Sequence, residues 1–166
     1  MPRACVRHAA AERGARCHQA RPRRRGGARG RTLVRSTLDF LARVGLCLAY
    51  AYSGVSKLVD FSGATAEQAH FGLQPPALFA IATIAVQLAG SALVLFASGR
   101  WRIAGAAALA GFTAAATLIG HPFWRESGMD RFRDLNSFLE HAGLIGGFVL
   151  VALGATARSA AARARP

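Results

Sequence analysis

Four stretches of this chain are almost free of charge and each about 20 residues long: Leu38 to Lys57, Pro76 to Ala97, Trp101 to Gly120, and Phe138 to Ala157. That length is what a helix needs to cross the hydrocarbon core of a bilayer. Buried helices of a soluble bundle would instead show a polar residue every three to four positions. The second stretch carries only Gln87 and the hydroxyls of Thr83 and Ser91, and the third shows no polar face. The pattern therefore predicts an all-α fold, an integral membrane four-helix bundle. A cleaved signal peptide does not fit, because the first apolar run begins only near residue 38 and ends in Ser56-Lys57 with no cleavage site.

Composition agrees once the charge is located. The 166 residues are 52% apolar and 17% charged, with a formal charge of +13. Residues 1–35 alone hold eleven arginines against Glu12, whereas the remainder is almost neutral. The basic residues lie in a Gly/Arg/Ala/Pro stretch without aromatic side chains to stack on bases, which argues against nucleic acid. Residues 1–35 are expected to be a disordered cytoplasmic tail, 36–158 the membrane domain, and 159–166 a short basic tail. Cys5, Cys17, His8 and His18 form a poor zinc set in such a tail, and no metal is expected. Cys47 reads as a packing residue.

Lysine and arginine accumulate on the cytoplasmic side of short flanks. The amino-terminal flank, Arg100 and Arg102, and Arg158, Arg163 and Arg165 lie on one side. Lys57, Arg125, Arg131 and Arg133 lie on the other. Both termini are thus expected in the cytoplasm, with outer loops at 58–75 and 121–137. Close packing without a hydrophobic drive favours small residues, so Gly143-xxx-Gly147 and Ala107-xxx-Gly111-xxx-Ala115 are the expected contact faces.

Several pieces in order resemble the DoxX family of small bacterial membrane proteins. They are Arg43 with SGVSKLVDF (Ser53 to Phe61), VQLAGSALVLFASG (Val86 to Gly99), HPFW (His121 to Trp124) and FLEHAGLIGGFVL (Phe138 to Leu150). The resemblance covers roughly residues 36–157. It implies a four-span bundle in the bacterial inner membrane. Some relatives are tied to quinone-linked oxidation of sulfur compounds or to oxidative-stress complexes. Relatives often carry glutamate in the second span, where this chain has Gln87, and asparagine where it has His141. A proton-handling role through that carboxylate does not carry over.

Ionisable groups within a bilayer are costly and mark function by default. Arg43 and Gln87 are the intramembrane polar candidates. Lys57, His121, Trp124, Glu140 and His141 gather at the outer helix ends, near Tyr50, Tyr52 and Ser53, and are the candidates for a ligand pocket. Of the consecutive Glu140 and His141, His141 is expected to face inward, since Leu144 and Gly147-Phe148 continue its face. The sequence has no glycine-rich nucleotide loop, haem-attachment motif or iron–sulfur cysteine set. Any redox carrier would be a mobile quinone or belong to a protein partner. The reading is a subunit of a quinone-linked membrane oxidoreductase or oxidative-stress complex. The alternative is a scaffold or assembly component without redox activity. A transporter is disfavoured, because broken helices and inverted repeats are missing from the pattern.

Overall fold

In a computed structural model, described over residues 25–164 with side chains from residue 33 onward, the chain is helical throughout, with no strand among the described residues. Five helices follow in order: α1 (Arg25–Val59), α2 (Phe61–His70), α3 (Pro76–Phe96), α4 (Gly99–Gly120) and α5 (Gly128–Arg163). Four of them, all but α2, are long and apolar enough to cross a membrane. Large apolar side chains such as Leu48, Ile81, Leu118, Leu150 and Leu153 are exposed around the bundle, as lipid contact requires.

The boundaries differ from the sequence expectation in instructive ways. Residues 25–35, assigned to a disordered tail, continue α1, and residues 159–163 continue α5. Arginine and alanine both propagate a helix readily once a membrane span has nucleated it. The assignment of residues 1–24, with the cysteines and histidines weighed for zinc, falls outside the described residues, as do residues 165 and 166.

The segment 58–75, expected as a loop, contains α2. Asp60 caps it, accepting from the backbone N–H of Gly63 and from the Ser62 hydroxyl, both at 2.9 Å. It ends in a Schellman motif. Gly72, at φ +72, donates to the Ala69 carbonyl, and Leu73 donates to that of Gln68. The loop 121–137 shrinks similarly, because α5 begins at Gly128.

α4 packs between α3 and α5, α1 leans on α3, and α2 lies across α3 and α1. The buried centre comprises Cys47, Tyr50, Val94, Ala106, Leu109 and Phe148. The expected small-residue faces are largely not the ones used: Gly111 and Gly143 have no neighbour within 4 Å of where a Cβ would sit. Close approach falls instead to Gly90 and Gly105, where α3 and α4 cross. A Cβ on Gly105 would stand 2.6 Å from that of Leu93 and 2.9 Å from the Gly90 carbonyl oxygen. Gly147 does pack, against Leu46.

Candidate functional site

A cavity of about 460 Å³ opens between α1, α3 and α4, roofed by α2 and touched by α5. Its walls are mainly apolar, with Ala49, Phe79, Ala82, Val86, Phe112 and Ile119 among them. It lies in the half of the bundle where α1 ends and α3 begins. Gly54 shapes that wall, since a Cβ there would strike Leu88 at 2.8 Å and press on Gln87.

Polar groups enter this apolar space at few points. Gln87 is 5% exposed, and its Oε1 has no hydrogen-bond partner among the described residues. A buried amide oxygen left unbonded is costly. Beside it, the Tyr50 hydroxyl and Thr113 Oγ1 are 2.5 Å apart, and Thr113 also donates to the Leu109 carbonyl at 2.7 Å. The Tyr50 ring is held edge-on by Phe148, with centroids 5.4 Å apart. At the mouth, Lys57 Nζ lies 2.6 Å from Glu67 Oε2, tying the end of α1 to α2. On the α5 side, His141 Nδ1 is 2.8 Å from Thr117 Oγ1.

The sequence candidates separate into three groups. Lys57, Gln87 and His141 line the cavity. His121 stands behind His141, with ring centroids 5.2 Å apart, and its Nδ1 is 3.3 Å from Asp134 Oδ1. From His141 on the cavity wall, bonded to Thr117, His121 and Asp134 thus run toward the helix ends. Glu140 is exposed and accepts from Asn136 Nδ2 at 2.7 Å, and Trp124 meets Phe123 edge to face at the surface. Neither reaches the cavity. Tyr52 points away and is 77% exposed.

Arg43 belongs elsewhere. It is 7% exposed, at the opposite end of the bundle, and donates through Nη1 to the carbonyls of Val94 and Leu95. These are last-turn carbonyls of α3, which no intrahelical N–H can reach.

Thr113, Thr117, Glu67 and Gln68 are site residues that the sequence reading passed over. Thr113, Thr117 and His121 are spaced four apart and form one stripe of α4, a signal hidden by the run of alanines around it. Glu67 and Gln68 could not be placed while 58–75 was read as a loop.

Four apolar helices with a half-open cavity define a small multi-pass membrane protein. The DoxX family model matches residues 38–122, about half of the chain, and the chain belongs to that family. The match takes in α1 to α4 and stops before α5 and His141. The chain is similar to the inner membrane protein YphA of Escherichia coli (strain K12), 28% identical over 120 residues that cover 72% of this chain and 84% of that one. No solved structure matches. Together with the four spans, these likenesses assign the protein to the bacterial inner membrane.

Proposed function

We propose that the chain is the quinone-binding membrane component of an oxidoreductase or oxidative-stress complex, with its electrons supplied by a protein partner. One observation carries this reading: the buried, unpartnered amide oxygen of Gln87 on the wall of an apolar cavity. The volume falls in the range of small-molecule sites, which pair apolar walls with a few placed polar groups. An amide serves both redox forms of a quinone. Its N–H donates to a quinone carbonyl, and its oxygen accepts from a quinol hydroxyl.

Reduction of a quinone takes up two electrons and two protons. The His141 ring can take up or give a proton at a nitrogen, and His121 and Asp134 extend from it toward the helix ends. The arginine bias favours these ends outside and both termini in the cytoplasm. The scaffold alternative draws its support from the outer cluster alone. Several of its members are satisfied by structural partners, Glu140 by Asn136 and Lys57 by Glu67.

Titration of the purified protein with a short-chain quinone tests this reading. Saturable binding is expected, weakened about tenfold by Gln87→Leu through loss of a buried hydrogen bond. Absence of saturable binding, or binding indifferent to residue 87, supports the scaffold instead.

A further inference from the structure

At the end of the bundle remote from the cavity, the guanidinium groups of Arg43 and Arg158 meet at Asp39, and Arg102 lies at the same end. Arg43 Nη2 is 3.1 Å from Asp39 Oδ2, and Arg158 Nη1 is 3.9 Å from Asp39 Oδ1. The start of α4 lies against the end of α5, since a Cβ on Gly99 would stand 3.6 Å from Ser159 Oγ, and this brings Arg102, one turn further along α4, near Arg158. Asp39 is the one acid at this end among the described residues.

The donors are unequally employed. Arg43 is engaged through Nε with the Asp39 carbonyl at 3.2 Å, through Nη1 with α3, and through Nη2 with the Asp39 carboxylate. Arg102 Nε is buried and has no acceptor among the described residues. Arg158 is half-exposed and, among the described residues, has only the long contact to Asp39. The Arg43–Asp39 pair is neutral as a unit, so Arg102 and Arg158 leave two positive charges uncompensated. A buried N–H without an acceptor is unfavourable, and an anion with several oxygens would relieve both deficits.

Position says where the anion comes from. Trp101, next to Arg102, is 56% exposed, and the Arg100 guanidinium stacks 5.3 Å from its ring centroid. An exposed indole beside a run of arginines at a helix end is characteristic of headgroup depth.

We propose that Arg102 and Arg158 form a phosphate-binding site filled from the membrane by the headgroup of an anionic phospholipid. The guanidinium fork matches phosphate oxygens in a bidentate way. Basic pockets between helices at this depth hold lipid phosphates. Arg43 positions the site by fixing Asp39 and the end of α3, and does not itself bind.

The full-length protein in mild detergent, titrated with cardiolipin, phosphatidylglycerol or phosphatidylcholine and read by native mass spectrometry, tests the site. The two anionic lipids are expected to bind about tenfold more tightly than the zwitterionic one. Arg102→Gln with Arg158→Gln should lower that preference several-fold relative to the unsubstituted protein. Arg131→Gln with Arg133→Gln, which removes the same charge from the other end, should keep it. All forms carry the same basic amino-terminal segment, so its contribution cancels. Failure of millimolar inorganic phosphate to compete assigns the phosphate to lipid, whereas effective competition contradicts a membrane source. Undiminished anionic preference in Arg102→Gln with Arg158→Gln overturns the site. If that pair does not fold, Arg158→Gln alone, at a half-exposed position, must still weaken anionic lipid binding, and unchanged binding overturns the site equally.

Discussion

Arg43 Nη1 lies 2.9 Å from the carbonyl oxygen of Val94, so a side chain of the first span completes the hydrogen bonding of the second. The same nitrogen reaches the Leu95 carbonyl at 3.0 Å, and the cation sits at the negative end of the α3 dipole. Arg43→Leu strands two carbonyls and the Asp39 carboxylate together. Because Asp39 is partly exposed, the expected loss is about 2–3 kcal/mol, toward the lower end for a broken ion pair. Arg43→Lys restores the charge but not the fork and should recover only part of it. Reversible unfolding in mixed micelles measures both, and an unaffected Arg43→Leu protein would remove the capping role.

Gly105 and Gly111 make a matched pair. Both are glycines of α4, yet a Cβ at 105 meets Leu93 and the Gly90 backbone, whereas one at 111 meets nothing within 4 Å. Gly105→Ala should cost about 1–3 kcal/mol by forcing α3 and α4 apart. Gly111→Ala should be neutral or should stabilise by up to about 1 kcal/mol through helix propensity. Equal effects at the two positions, read in the same unfolding assay, would contradict the observed crossing.

The contrast also marks what the sequence could disclose. The four spans were legible because burial in lipid demands long runs of apolar residues, and their approximate limits follow from that demand alone. Which small residues touch was not, since Gly105, Gly111 and Gly143 look alike until helix rotation is known. Lys57 and His141 were legible as cavity residues through their positions at converging helix ends. Trp124 and Glu140 share those positions but face outward, and a position along a span does not by itself fix its rotation. α2 was missed because its ten residues are weakly amphipathic, and its Asp60 cap and Gly72 stop are short-range signals inside an apparent loop.

The arginine placement favours both termini in the cytoplasm, and fusions test that sidedness. A reporter joined at Ala66, in α2, or at Glu126, between α4 and α5, is expected to register outside the cytoplasm. A reporter at Gly99 or Pro166 is expected to register inside. An outside signal at Gly99 would invert the orientation.

Asp60 supplies a pH test. Hydrogen bonds from the Gly63 N–H and then the Ser62 hydroxyl hold its carboxyl below the ordinary value of 3.8. The folded group binds its proton less readily than the unfolded one. Its stabilisation of α2 is therefore fully present above the unfolded value and is lost as pH falls through the lower folded value. Hydrogen exchange at the Gly63 and Ala64 amides, corrected for intrinsic rate, should be flat from neutral pH down to about 5 and rise only in stronger acid. Asp60→Ala should exchange faster from neutral pH down to about 5, lose that acid-dependent rise, and converge with the unsubstituted protein in stronger acid. A rise already complete at pH 6 would assign the effect to a different group.

The claim on which the functional reading depends is that a quinone headgroup occupies the cavity beside Gln87. Photolabelling of the membrane-embedded protein with an azidoquinone, followed by peptide mapping, addresses it directly. The expected labels fall on the cavity-facing segments of α1 between Ala49 and Lys57, of α3 between Phe79 and Gln87, and of α4 between Phe112 and Gly120. They should disappear under excess unlabelled quinone and when Ala116→Trp fills the space. Labels confined to lipid-facing positions such as Leu41, Leu150 and Leu153, and unaffected by competitor or by Ala116→Trp, would contradict a quinone site in this protein.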